Sequence, residues 1–95
     1  MKILALEIER EGAAAADFAP LLKAEAAHVW DLQQADLIRE IHFRADRHTA
    51  VLILECPDLE HGRALVSAFP LVQAGLIRFE LIPLAPYDGF ARLFA

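Results

Sequence analysis

Four short apolar runs and two helical segments, in the order β-α-β-β-α-β, predict an α+β fold of the ferredoxin-like kind. This is a four-stranded antiparallel sheet with two helices on one face. Three observations carry the prediction. The runs 3–8, 37–45, 50–56 and 76–84 are rich in Ile, Leu, Val and Phe. The segments 17–35 and 58–69 repeat apolar residues at helical spacing. Only the polar stretch 46–49 separates the second run from the third, enough for a hairpin and too little for a crossover. At 95 residues there is room for one core, so 1–95 reads as a single domain ending in a tail, 86–95.

The first strand, Ile3 to Ile8, ends in the charges Glu9, Arg10 and Glu11. Gly12 and four alanines lead to a helix with Asp17 as N-cap and Pro20 in its first turn, running to about Ala35. Its apolar positions are Phe18, Leu21, Leu22, Val29 and Leu32. In the second strand, Leu37 to Ala45, Arg39, Ile41 and Phe43 alternate with Glu40, His42 and Arg44. The third strand, Ala50 to Cys56, is apolar on both faces, as a strand covered from both sides must be. Pro57 stops it. Asp58 caps a second helix that buries Leu59, Gly62, Leu65, Val66 and Phe69 and ends at Pro70. The fourth strand, Leu76 to Leu84, follows Gly75, and the tail carries Tyr87, Phe90 and Phe94.

Hydrophobic residues make up 57% of the chain, which excludes a disordered protein and exceeds what so small a monomer readily buries. With Val51 and Ile53 on one face of the third strand and Leu52 and Leu54 on the other, the sheet face away from the helices is apolar too. A second copy packed on that face would cover it, so a homodimer is expected. The net charge of −5, with no basic stripe, argues against a nucleic-acid partner. One cysteine, Cys56, cannot form an internal disulfide, which fits a reducing cytoplasm. Glu7 and Glu9 interrupt the N-terminal apolar stretch too early for a signal peptide. The longest apolar run, Ala50 to Leu54, falls far short of the roughly twenty residues of a membrane span, so no membrane partner is expected.

From LLKAEAAHVWDLQQ through LIREIHFRA, and most clearly from ECPDLEHGRALVSAFPL to LIRFELIPLAPY, the chain resembles the muconolactone isomerase family. The Pro-Asp helix start, the Phe-Pro-Leu helix end and the terminal Pro-Tyr lie at that family's spacing, over roughly residues 17–90. The resemblance implies a dimeric α+β barrel that forms dimers or larger rings and isomerises lactones of aromatic catabolism without a cofactor. Glu25 matches an acidic position on the family's first helix and Arg39 a basic one on its second strand. Asp36 stands where Gly is common, and His42 where Trp is common.

Glu25 and His28 are neighbours in the helical stripe Leu21, Glu25, His28, Leu32, which makes them candidate proton carriers. The alternative is that both sit at the edge of the stripe and reach solvent. His42 is a third candidate carrier, in the row Glu40, His42, Arg44. That row lines a pocket, joins subunits or lies on a solvated edge, depending on the phase of its strand. Arg39, if it faces inward, would hold a substrate carboxylate with two prongs. Tyr87 either donates its hydroxyl to a ligand or belongs to a tail that covers a neighbouring subunit. Trp30 reads as an interface residue.

His28, His42, His48 and His61 show no metal-motif spacing, and His48 and His61 read as exposed. Cys56 reads as a small buried hydrophobe. No cofactor and no metal are expected; a haem enzyme would need His28 or His42 as axial ligand in an open cavity. The resulting expectation is an isomerase that moves a proton next to a carbonyl of a small, anionic, unsaturated lactone or ketone, with Glu25, His28 or His42 as carrier and Arg39, Glu40 and Tyr87 binding substrate. The alternative is a non-catalytic binding or accessory module on the same barrel.

Overall fold

The computed structural model describes residues Met1–Ala95. Strand β1 spans Lys2–Glu9, followed by helix α1 (Ala15–Phe18), a 3-10 turn (Ala19–Leu21) and helix α2 (Leu22–Gln34). Strands β2 (Ile38–Phe43) and β3 (Ala50–Glu55) form the hairpin. Helices α3 (Leu59–Ser67) and α4 (Pro70–Gln73) precede strand β4 (Ile77–Pro83), and a 3-10 segment covers Gly89–Phe94. The four strands form one sheet in the order β2-β3-β1-β4 with every neighbour antiparallel, the ferredoxin-like arrangement the sequence predicts.

Strand parity decides which side chains enter the core. Ile3 pairs with Leu54 and Ala5 with Leu52, and all four are buried beneath the helices with Ile38, Phe69 and Val66. The opposite parity, Leu4, Leu6, Val51 and Ile53, forms the face away from the helices and is only half-buried. At the β1–α3 crossing Gly62 makes room: a Cβ there would come within 2.7 Å of the Ile3 side chain.

Three local details differ from the sequence expectation. The first helix is broken, because Pro20 lies in a 3-10 turn between α1 and α2, where its missing N–H and its ring prevent continuation. Helix α1 begins at Ala15, so Asp17 is not the N-cap; its carboxylate instead accepts a hydrogen bond from the Ala14 N–H at 2.9 Å. In β2 the register shifts between Ile38 and Glu40, a bulge that takes Arg39 out of the alternation. Ile38, Ile41 and Phe43 therefore share the helix side with Leu54, Leu52 and Ala50, and Glu40 and His42 oppose Ile53 and Val51 on the other face.

The helix ends follow their caps. Asp58 accepts from the His61 N–H at 2.9 Å and starts α3. Helix α2 closes in a Schellman motif, with Leu37 N–H bonded to Leu32 O and Asp36 N–H to Gln33 O. Asp36 takes the left-handed position there, φ 62°, which accounts for the Gly that its turn would otherwise favour. No helix is long and apolar enough to cross a membrane.

Candidate functional site

A cleft of about 560 Å³ opens between helix α2 and the helix side of the sheet, beside the β2–β3 turn. Its floor and walls are apolar and aromatic, from Phe18, Val29, Ile41, Leu52, Phe69 and Phe79. Trp30 and Phe43 stand at its rim, 61% and 60% exposed. Against this lining lie Glu7, Glu9, Glu25 and His48, with no Lys or Arg.

Glu7 enters because residues 3, 5 and 7 of β1 share the helix side. The first two fill the core and the third reaches the cleft. Its Oε1 accepts the Ala50 N–H at 3.1 Å, at the start of β3. Glu25 comes down from α2 and its Oε1 accepts the Leu71 N–H at 3.0 Å, at the first turn of α4. Both carboxyls are half-buried and are pushed above the ordinary carboxylate range. For Glu7 burial is the main cause, opposed by the Ala50 N–H, assisted by the negative charges of Glu9 and Glu25, and opposed again by His48. For Glu25 burial also leads, opposed by the Leu71 N–H and by His28. One cleft thus holds two carboxyls, each anchored through one oxygen, with like-charge repulsion adding to the proton affinity of Glu7.

The remaining residues singled out in the sequence lie elsewhere. His28 is on α2 three residues beyond Glu25, about 60° around the helix axis. That rotation puts it on the other side of the ridge that packs on the core. It lines a separate cavity of about 360 Å³ with Leu32, Cys56 and His61, its ring edge-to-face with Phe69 at 5.1 Å. Its Nε2 is buried without a hydrogen-bond partner. Burial pushes the Cys56 thiol up. His42 and Glu40 form an exposed pair at 3.4 Å on the sheet face opposite the cleft. Arg39 is exposed, its Nε donating to Asp36 O at 2.9 Å. Tyr87 is 71% exposed in the tail, edge-to-face with Phe90. The structure therefore leaves Glu40, His42, Arg39 and Tyr87 outside the cleft, while His28 is near enough for its charge to act on Glu25 but lines the neighbouring cavity.

Three cleft residues are not marked as site residues by the sequence. Glu7 carried a signal, a carboxylate on the buried parity of a strand, although in the sequence it reads first as the end of an apolar run. Trp30, which as an exposed aromatic reads as an interface residue, stands at the rim. His48, expected in an exposed turn, is exposed but folds back so that its ring stacks on Phe43, centroids 3.8 Å apart and planes 25° apart. Turn geometry decides that, and no spacing in the sequence encodes it. No group of three or more His, Cys, Asp or Glu side chains is placed to hold a metal ion.

Two solved structures are similar along nearly the whole chain. A 5-chloro-2-hydroxyhydroquinone dehydrochlorinase from Burkholderia phenoliruptrix, in complex with 2,5-dihydroxybenzoquinone, superposes with a TM-score of 0.70 at 18% identity, covering 90% of this chain and 94% of that one. Muconolactone isomerase superposes with a TM-score of 0.70 at 16% identity, covering 94% and 93%. The chain has the muconolactone isomerase-like fold. Neither a family model nor a curated protein sequence matches it. The resemblance seen in the sequence is thus met at the level of the fold, by an isomerase and a dehydrochlorinase that share it.

Proposed function

We propose that the chain is a small, cofactor-independent enzyme of aromatic-compound catabolism in the cytoplasm, an isomerase that moves a proton next to a carbonyl of an unsaturated ring. The observation that carries this reading is the pair of half-buried carboxyls, Glu25 and Glu7, in one apolar cleft. Burial raises the proton affinity of both, and the charge of Glu25 adds to the rise at Glu7, which in this reading makes Glu25 the base and Glu7 the acid. Glu25, ionised, takes the proton from the carbon next to the carbonyl. The C–H electron pair moves into the ring and gives an enolate. Glu7, neutral, delivers its proton two carbons away as the electron pair returns. The product is the isomerised ring, with Glu25 neutral and Glu7 ionised.

The aromatic lining supports a flat, unsaturated ring as the ligand. Because the cleft carries three carboxyls and no Lys or Arg, the ring is uncharged rather than the anion suggested by Arg39. The apolar face of Leu4, Leu6, Val51 and Ile53 is covered in this reading by a second copy, sheet against sheet.

The test is solvent-proton exchange. The protein in D₂O, with muconolactone, related unsaturated lactones and hydroxyquinones, is followed by NMR. Enzyme-dependent deuterium uptake is expected with at least one ring and falls about a hundredfold or more in Glu25→Gln. Uptake unchanged in that variant contradicts the assignment. The second reading, a non-catalytic binding module, draws on the same apolar lining, which can hold a ring without reacting with it; binding of a ring with no exchange would favour it.

A further inference from the structure

The proton-transfer reading engages the part of the cleft around Glu7 and Glu25 and leaves the rest of it without a task. The cleft holds about 560 Å³, whereas a cavity of roughly 150 Å³ takes in one benzene ring. A single ring lying against the two carboxyls therefore leaves most of the space unfilled. The side chains towards the mouth are apolar and exposed. Leu22 and Trp30 on α2 are 51% and 61% exposed, and Ile41 and Phe43 on β2 are 37% and 60% exposed. All four line this one cleft, so they continue its floor outwards instead of forming a patch of their own.

We infer that the cleft takes a flat, uncharged compound of two or more fused rings, with the reacting ring at Glu7 and Glu25 and an outer ring between Trp30 and Phe43. The inference rests on the proton-transfer reading for the place of the reacting ring and names the substrate class around it. Helix α2 and the sheet are the two walls of the cleft, so Trp30 from the one and Phe43 from the other bound its mouth on either side. Phe43 is backed by the His48 ring, stacked on it with centroids 3.8 Å apart and planes 25° apart, which braces that wall. Trp30 has no aromatic partner within the protein. Its indole face is left for a flat ligand to cover.

The polar side chains divide the cleft in the same way. Glu7 and Glu25 are half-buried and held by the Ala50 and Leu71 N–H groups, which fixes the inner end. No Lys or Arg lines any part of the cleft, so an acidic substituent on the outer ring finds no fixed counter-charge. An apolar ring there removes exposed Leu22, Trp30, Ile41 and Phe43 surface from water, and each added ring gains affinity in proportion to the area it covers.

The test is binding of phenol, 2-naphthol and decahydro-2-naphthol to the full chain, measured by calorimetry and by the NMR signal of the indole N–H of Trp30, the one tryptophan present. 2-Naphthol is expected to bind about tenfold or more tighter than phenol and to shift the Trp30 signal. Decahydro-2-naphthol, with the same carbon skeleton but puckered and without aromatic faces, is expected to bind several-fold more weakly than 2-naphthol. In Trp30→Ala and in Phe43→Ala, both at exposed positions, the preference for 2-naphthol over phenol falls to about twofold or less. Equal binding of phenol and 2-naphthol, equal binding of the flat and puckered bicycles, or a preference that both variants keep overturns the inference. So does a Trp30 signal that shifts with protein concentration and not with 2-naphthol, which assigns the mouth to a second copy. Binding is read without turnover, so the two readings fail separately. The expected binding pattern with no deuterium exchange on any ring compound contradicts the proton transfer and supports the fused-ring site. Exchange on single-ring compounds with no gain in affinity from a second ring overturns the fused-ring site alone.

Discussion

Glu7 and Glu25 show what burial without a close counter-charge does to a carboxyl. Each carboxyl is held by one peptide N–H and faces an apolar lining, so the folded state favours its neutral form. The linkage has a definite sign. A carboxyl whose proton is held more tightly in the folded than in the unfolded chain lends stability at low pH. That contribution is lost as pH rises from near 4.5 through the raised folded value. Glu7→Gln keeps an oxygen for the Ala50 N–H and removes the charge. It is therefore expected to match the wild type in stability below that window and exceed it at pH 7, as measured by urea unfolding at a series of pH values. A stability difference that does not change with pH would contradict the burial argument. Glu25 was legible in the sequence because a carboxylate in a helical apolar stripe stands out. Glu7 was hidden by its place at the end of a strand, and His48 by a turn whose local hydrogen bonds and stacking on Phe43 no residue spacing encodes.

At the scale of elements, the sequence carried the topology well, because strand runs and helix caps are local. Asp58, Pro57 and Gly75 bound their elements where local chemistry places them. What it did not carry were two irregularities: the break at Pro20, and the bulge that removes Arg39 from the alternation of β2. The bulge shapes the cleft, since it directs Ile41 and Phe43 into it and sends Glu40 and His42 to the far face. Strand β3 makes the two faces separable by experiment. Leu52 is 1% exposed under the helices, so Leu52→Asp buries an unpaired charge and is expected to cost 3 kcal/mol or more, roughly, enough to unfold a marginal domain. Ile53 is half-buried on the opposite face, so Ile53→Asp is expected to leave a folded monomer that no longer associates. Circular dichroism and sedimentation of the two variants check this. A self-associated Ile53→Asp would place the interface elsewhere.

The whole molecule is more extended than a compact chain of its size. Its radius of gyration is 15.4 Å, against about 12 Å for a compact domain of this length. Its principal extents are 57, 28 and 20 Å. The tail contributes to this, with Phe90, Leu93 and Phe94 largely exposed, and the sheet leaves a second apolar surface uncovered. Both agree with the composition, which carries more apolar residues than one small core takes in. Helices on one face, a cleft between α2 and the sheet, and an open apolar face on the other side together make a scaffold in which a few polar side chains stand in the cleft. That is why a shared fold at 16–18% identity identifies the architecture and leaves the reaction to be decided at the site. The central claim is that Glu7 and Glu25 form a coupled acid–base pair there. The most direct measurement is an NMR titration of the glutamate side-chain carboxyl carbons in the wild type and in Glu25→Gln. Two glutamates titrating above 4.5, the higher of them moving down when the charge at position 25 is removed, is the predicted result. All glutamates titrating at or below 4.5, or a highest one indifferent to that substitution, would contradict it.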